Sequence, residues 1–292
     1  MKGKLRLTMN QKTKLEGYFF ILPWLIGFIA FFAMPFFKSI QLSFSKITKI
    51  AGFEMEWIGW QHYAKAFTWD VYFVPMFINT MRNTLITIPL TVVFSLFIAI
   101  LINRNIKFKG FFRGAFFIPV LLGTGFVMKQ LLGMNVQNQA IEVAMGIVMP
   151  DEILNYLGPD IAAYVTEFMY RITLIFWRSG VQVVLFLAGL QSIPNSMYEA
   201  ARCDAATEWE MLWKITLPMI TPVISLNCIY TLIDSFTDVN NPIVDYILDM
   251  GFKSVQYEYA AAMSWIYLLF VFIVVILIFV IFRRFSYDSK EG

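Results

Sequence analysis

Long apolar stretches that carry almost no charge divide this sequence into membrane-crossing segments. A helix needs about 20 mostly apolar residues to cross a hydrocarbon core of about 30 Å. Five stretches approach this size, at 18–37, 83–103, 172–190, 219–233 and 259–282. A sixth at 114–128 is shorter, but Lys129 can snorkel to the surface and extend it to residue 134. We therefore predict an all-α, polytopic membrane bundle of six transmembrane helices, with spans near 18–42, 83–103, 114–134, 170–190, 219–239 and 259–282.

Composition agrees with a membrane protein and disfavours other classes. Hydrophobic residues make up 59% of the 292 residues and charged residues 15%, whereas soluble domains carry about 25% charged residues. The net charge of +3 is too small to indicate a nucleic-acid partner. The basic start precedes an apolar run without a small-residue cleavage pattern, so we expect a retained first helix. Cys203 and Cys228 fall in a predicted loop and a predicted span, and we expect no disulfide framework.

Lysine and arginine predict the orientation, because short cytoplasmic segments retain positive charge. The arrangement that fits has both termini in the cytoplasm, with an N-terminal segment at 1–17 and a tail at 286–292. The transmembrane domain at 18–285 then contains a cytoplasmic loop at 191–218. The loop at 135–167 falls outside, and we expect a short surface or re-entrant helix in it. The cytoplasmic charges are Lys2, Lys4, Arg6, Lys12, Lys14, Arg104, Lys107, Lys109, Arg113, Arg202, Lys214, Arg283, Arg284 and Lys290.

Prolines recur inside the predicted spans. Each removes a backbone hydrogen bond and favours a kink. Such kinks line cavities in transporters, although proline is also simply commoner in membrane helices than in soluble ones. The prolines are Pro23, Pro35, Pro89, Pro119 and Pro222.

The predicted cytoplasmic loop reads QSIPNSMYEAARCDAATEWEMLWKITLP and has the pattern of two short helices. Ser196 followed by Glu199 matches a capping box, and Thr207 followed by Glu210 matches a second one. Pro218 then ends the unit near the next span. The loop is therefore predicted to be a helix, a turn and another helix.

Small residues in this loop offer a surface on which another protein can approach closely. Glu199, Ala200 and Ala201, then Ile215, Leu217 and Pro218, stand at the spacing of a known motif. That motif is the EAA loop of importer permeases, which reads EAA, three residues, Gly, nine residues and I-x-L-P. Asp204, Ile193, Pro194 and Tyr198 resemble the carbohydrate branch of the same family. The chain thus resembles the carbohydrate-type permeases of ATP-binding-cassette importers, of the maltose-transporter kind.

The sequence departs from this pattern at Ala205, where the family has Gly. Gly tolerates a positive φ, whereas Ala does so only at a cost. We therefore expect the turn at 205–207 to use another residue or a right-handed geometry. The resemblance implies that the loop couples to an ATPase subunit through Glu199, Ala200, Ala201, Asp204 and Ala205, while Glu199 alone is equally typical of a helix cap.

The resemblance also implies an assembly. It contains a second permease, two ATPase subunits and an extracellular solute-binding protein, in the cytoplasmic membrane of a bacterium or archaeon. A sugar or oligosaccharide would move inward, and ATP and Mg²⁺ would bind to the ATPase subunits. This chain would hold no cofactor and no catalytic residue.

Missing motifs agree with a transport subunit that does no covalent chemistry. The sequence contains no GxxxxGK[ST] phosphate-binding loop and no cysteine, histidine or carboxylate cluster with metal-ligand spacing. The single histidine, His62, is expected at the surface. A channel or an ion-coupled carrier remains the alternative, although ionisable residues inside the spans are few; they are Arg178, Asp234 and Asp238.

Polar residues at membrane depth predict the solute path. Gln182 follows Arg178 by four residues and shares its helix face. Asn227, Tyr230 and Asp234 recur at helical spacing on the fifth span. These faces, with Trp177 and Tyr230 as stacking platforms, offer donors and acceptors for sugar hydroxyls. The alternative is that Arg178 pairs with Asp234 only to hold two helices together.

Overall fold

The computed structural model describes residues 9–49, 54–103, 110, 114, 158–238 and 241–283. The chain forms two compact units. The first comprises Met1–Ile78 and Pro242–Phe270, and the second comprises Asn79–Asn241 and Val271–Gly292.

Helices dominate the described residues. The first half contains α1 (Met9–Phe28), α2 (Met34–Ser43), β1 (Ser45–Lys49), β2 (Glu54–Trp57), α3 (Gln61–Thr68) and α4 (Phe73–Asn103). The second half contains α5 (Pro159–Arg178), α6 (Gly180–Gln191), α7 (Asn195–Cys203), α8 (Glu208–Met211), α9 (Leu217–Thr237), α10 (Pro242–Leu248) and α11 (Tyr257–Arg283). Within the described residues, π-helical turns directly follow α1, α8 and α10, at Ile29–Ala33, Leu212–Thr216 and Asp249–Lys253.

Several helical segments have the length and apolar character needed to cross a membrane. They are Gly17–Ser43, Phe73–Asn103, Glu208–Thr237 and Tyr257–Arg283, and a bent pair, Ile161–Phe176 with Gly180–Gln191, supplies a further candidate. A helical membrane protein is thereby confirmed. The number six stays a prediction, because the predicted third span lies outside the described residues except for Gly114.

Two of these helices differ from the sequence prediction in their bounds. Helix α4 begins at Phe73, whereas the predicted span began at residue 83. Helix α5 begins at Pro159, inside the loop expected at 135–167. Between α5 and α6 the chain bends by 55° at Ser179. Residues 135–157 of that loop, where a short surface or re-entrant helix was expected, lie outside the described residues.

A β-hairpin corrects the all-α prediction. Strands β1 and β2 pair antiparallel, with Ser45 opposite Trp57 and Lys46 opposite Glu56. The opposite charges of Lys46 and Glu56 favour this register. Ile47 is β-branched and suits a strand, but the strands are too short to stand out from the surrounding loop sequence.

Two of the π-helical turns precede a proline. The turn at Ile29–Ala33 comes before Pro35, and the turn at Leu212–Thr216 comes before Pro218. A proline lacks the N–H group and clashes with the carbonyl four residues earlier. In both cases that carbonyl lies within the wider π turn, which accommodates the ring. Pro218 therefore does not end the helical loop, as the sequence predicted, but lies in the first turn of α9.

The first unit has its own core and a hydrogen-bonded carboxylate at its edge. Seven buried side chains form the core, namely Ala66, Phe73, Ile243, Ile247, Tyr259, Ala260 and Met263. Beside them, Asp70 accepts hydrogen bonds from the Tyr259 hydroxyl at 2.6 Å and the Tyr246 hydroxyl at 2.8 Å. The backbone N–H groups of Tyr72 and Phe73 bind its other oxygen. Asp70 therefore caps α4 and ties it to α10 and α11.

In the second unit, α6 packs closely against α9. A Cβ atom added at Gly189 would lie 2.8 Å from Cγ2 of Val223. Any larger residue at Gly189 would push the two helices apart. The glycine thus sets the distance between α6 and α9, which flank the loop containing α7 and α8.

Candidate coupling loop and polar helix faces

The loop between α6 and α9 contains two short helices joined by a turn. The second capping box is confirmed. The backbone N–H of Glu210 donates to Oγ1 of Thr207 at 3.3 Å, and the N–H of Thr207 donates to Oε2 of Glu210 at 3.0 Å. The first box was wrong, because α7 begins at Asn195 after Pro194 and has no side-chain cap. Ser196 therefore lies inside the first turn, where Pro194 has already fixed the start of the helix.

The turn after α7 is a Schellman motif. The N–H of Ala206 donates to the carbonyl of Ala201 at 3.0 Å, and the N–H of Ala205 donates to the carbonyl of Arg202 at 3.1 Å. Such a motif needs a left-handed residue after the helix, and Ala205 supplies it with a φ of 56°. The expectation of another residue or a right-handed geometry was wrong. The loop forms the same turn that a glycine would form, although the Cβ of Ala205 makes the left-handed conformation energetically less favourable.

The residues predicted to couple to an ATPase lie on an accessible surface of this loop. Glu199, Ala200, Asp204 and Ala205 are exposed, and Ala201 is half-buried. An ion pair of 3.5 Å between Arg202 and Glu208 joins α7 to α8. The exposed rings of Trp209 and Trp213 pack edge to face, 5.6 Å apart. The loop therefore exposes both small residues and aromatic rings, which offer contact area to another protein.

One hydrogen bond connects α7 to the entrance of α9. The hydroxyl of Tyr198 lies 2.9 Å from that of Thr216, which is buried and also donates to the carbonyl of Met211. These residues line a cavity of about 480 Å³ beneath the loop, together with Glu199 and Arg202. Tyr198 was predicted only from the family resemblance, and Thr216 was not predicted from the sequence.

The structure brings together two of the predicted path residues. Nε2 of Gln182 donates to Oγ1 of Thr231 at 3.1 Å, and the same hydroxyl donates to the carbonyl of Asn227 at 2.8 Å. Gln182 and Asn227 are fully buried. Thr231, which links them, was missed, although it lies four residues after Asn227 on the same helix face.

The other predicted path residues have different surroundings. Arg178 forms an ion pair with Asp238 at the end of α9, a partner that the sequence did not predict. Arg178 also attracts the charge of Asp234, the partner in the alternative interpretation. Asp238 ends the helix in an extended conformation, a local change that helical spacing does not reveal. Tyr230 and Asp234 are half-buried on α9. The side chain of Trp177 lies outside the described part of the structure.

Comparison with known proteins identifies the family. The chain is 30% identical to the probable ABC transporter permease protein YesP of Bacillus subtilis, over 96% of this chain and 95% of the relative. It is 29% identical to the multiple sugar-binding transport system permease protein MsmF of Streptococcus mutans, over 94% and 97% of the two chains. This chain belongs to the ABC transporter permeases. No protein-family model matches the sequence.

A solved structure supports the same fold for this permease. A bacterial ABC transporter involved in the import of the acidic polysaccharide alginate aligns over 96% of this chain and 98% of its own, with a TM-score of 0.63 and 21% identity. The resemblance to carbohydrate permeases stated from the sequence is confirmed by the relatives, which include a trehalose/maltose permease protein of Thermococcus litoralis at 26% identity over 80% of this chain and 78% of the relative.

The single histidine of the permease lies in the first unit, half-buried rather than at the surface as expected. Its Nε2 donates to the carbonyl of Ser45 at 3.1 Å. Burial lowers the pKa of His62, and the hydrogen bond to Ser45 opposes this effect.

Within the described residues no histidine, cysteine or carboxylate cluster could hold a metal ion. Cys203 and Cys228 are free thiols.

Proposed function

We propose that this chain is the permease subunit of an ATP-driven importer that carries a sugar or oligosaccharide into the cell. The observation that supports this best is the loop between α6 and α9, which keeps the EAA spacing and presents it on an exposed helix–turn–helix. The sugar permeases among its relatives support the solute class. A channel or ion-coupled carrier has no need of such a docking loop.

The proposed orientation has this loop and both termini in the cytoplasm, in the cytoplasmic membrane of a bacterium or archaeon. Two ATPase subunits would bind ATP and Mg²⁺ and hydrolyse the nucleotide, so the permease needs no cofactor and does no covalent chemistry. A second permease would complete the path, and an extracellular binding protein would deliver the solute. The periplasmic protein bound to the alginate transporter in a second related structure is a precedent for that delivery.

Docking would require close approach at Ala201, which is half-buried on α7. Replacing it with tryptophan adds a bulky side chain at the motif. Ser196 is an exposed residue of the same helix, five positions earlier, and therefore points about 140° away. Ser196→Trp is thus a matched control for Ala201→Trp.

The test uses the complete transporter, co-expressed from its own genes and reconstituted in liposomes with its binding protein. We expect the liposomes to take up oligosaccharide only when ATP is supplied on the side of the membrane that carries the EAA loop. Ala201→Trp should abolish uptake and ATPase association, while Ser196→Trp should retain both. Uptake without ATP, or full uptake by the Ala201→Trp complex, would refute the proposal.

A further inference from the structure

Four polar residues of α4 follow one another at intervals of four positions. They are Asn83, Thr87, Thr91 and Ser95. Side chains four residues apart lie above one another on a helix. Helix α4 therefore carries a polar row along a largely apolar helix that is long enough to cross a membrane.

The deeper part of this row is buried and has no hydrogen-bond partner. Thr91 is 1% exposed and Ser95 is fully buried. Among the described residues, nothing pairs with Oγ1 of Thr91, Oγ of Ser95 or Oδ1 of Asn83. Burying an unpaired polar atom costs free energy, and the cost is highest at membrane depth.

Several other hydroxyls in the described helices are paired. Five of them donate to the carbonyl four residues earlier, namely those of Thr173, Thr221, Thr231, Thr237 and Ser264. On α4 itself, the hydroxyl of Thr84 lies 3.1 Å from that of Ser235. The polar row therefore departs from the usual way in which a membrane helix satisfies its hydroxyl groups.

One end of the row opens into a cavity. Asn83 and Thr87 line a space of about 280 Å³ together with Glu167, Arg171 and three apolar residues. Arg171 donates to Glu167 from two nitrogens, at 2.7 and 3.2 Å, so the charged pair is neutral as a whole. The cavity thus offers both donors and acceptors without a net charge, which suits a neutral molecule rich in hydroxyl groups.

We propose that the polar row of α4 is a hydroxyl-binding face of the solute path, entered from the cavity at Asn83 and Thr87. The inference rests on the proposed import of a sugar and adds α4 to the path predicted on α5, α6 and α9. The unpaired oxygens of Thr91 and Ser95 then form hydrogen bonds with the solute and do not stabilise the protein itself. Such a conflict between stability and local chemistry is typical of functional sites.

Isosteric substitutions separate a binding role from a structural one. Thr91→Val and Ser95→Ala remove oxygen atoms that stabilise nothing in the protein. The unfolding temperature of the reconstituted transporter should therefore stay the same or rise in both variants. The apparent KM for uptake of radiolabelled maltotriose or arabinotriose should rise about twofold to tenfold, the effect of losing one hydrogen bond to the solute.

Thr84→Val is the matched control on the same helix. Its hydroxyl is paired with Ser235, so the unfolding temperature should fall while KM stays unchanged. If Thr91→Val and Ser95→Ala lower the unfolding temperature or leave KM unchanged in a wild-type transporter that is active, the row is structural and the inference is refuted. If the wild-type transporter takes up neither sugar in the presence of ATP, the proposed function fails first, and the inference fails with it.

Discussion

The hydroxyl of Tyr198 lies 2.9 Å from the hydroxyl of Thr216, and this contact joins the exposed helix α7 to the buried entrance of α9. It is a direct hydrogen bond from the first helix of the loop predicted to dock the ATPase to the residue that immediately precedes α9. Thr216 ends a π-helical turn, and such turns occur frequently at functional sites. A movement of α7 would therefore act on α9 through this bond.

Tyr198→Phe keeps the aromatic ring and removes the bond. We expect the complex to assemble, to lose about 1 kcal/mol of stability, and to hydrolyse more ATP for each solute molecule transported. The ratio of phosphate release to uptake in liposomes measures this coupling. The matched control is Tyr164→Phe, which changes an exposed tyrosine of α5. An unchanged ratio in Tyr198→Phe would show that the bond does not transmit the movement.

The left-handed conformation of Ala205 predicts a stabilising substitution. Glycine adopts a φ of 56° without the steric cost that alanine has there. Its greater freedom in the unfolded chain offsets part of the gain, so Ala205→Gly should stabilise the protein by about 0.5–1 kcal/mol. Ala206→Gly, at the next position of the same turn, should destabilise it by a similar amount. Thermal unfolding of both variants in detergent decides the point, and a loss of stability in Ala205→Gly would contradict the expectation.

Asp70 makes the stability of the first unit depend on pH. Burial raises its pKa, but the hydrogen bonds from Tyr259, Phe73, Tyr246 and Tyr72 outweigh burial, so the pKa lies below its usual 3.8. A carboxylate with a lowered folded-state pKa contributes stability above the unfolded-state value and loses the contribution as pH falls through the folded-state value. The contribution is therefore fully present above about pH 5.

Asp70→Asn should lower the stability by about 1 kcal/mol at pH 7, because a capping carboxylate and its charge-assisted hydrogen bonds are lost. The difference from the wild type should shrink as the pH falls below 3.8. Urea unfolding between pH 3 and pH 8 measures it. Asp245→Asn, at an exposed position of α10, should have little effect, and equal curves for the two variants would contradict the role of Asp70.

Local sequence patterns predicted only those features that depend on a few neighbouring residues. The Thr207 and Glu210 capping box is such a feature, since both partners lie in one turn. Ser196 and Glu199 have the same spacing, but Pro194 starts the helix earlier. The β-hairpin was missed because its strands are short, and the unpaired hydroxyls of Thr91 and Ser95 were missed because such residues usually bind a carbonyl of their own helix.

Contacts between distant elements could not be read from the sequence. Gln182 and Asn227 were predicted to share a site, and Thr231 links them through a geometry that only packing of α6 against α9 creates. The partner of Arg178 depends on the bend at Ser179 and on the end of α9. Asp234 and Asp238 are one helical turn apart in sequence, and spacing alone does not distinguish them.

The ion pair of Arg178 and Asp238 provides a last test, because both side chains are largely buried at 19% and 17% exposure. Removing one partner leaves a charge with less compensation, so Asp238→Asn alone should cost on the order of 3 kcal/mol. The double variant Arg178→Gln with Asp238→Asn removes both charges and should recover much of that loss. A double-mutant cycle on unfolding free energies gives the coupling. Asp234→Asn, combined with Arg178→Gln in the same way, is the control. A larger coupling with Asp234 than with Asp238 would mean that the pair named in the alternative interpretation of the sequence is the one that stabilises the protein.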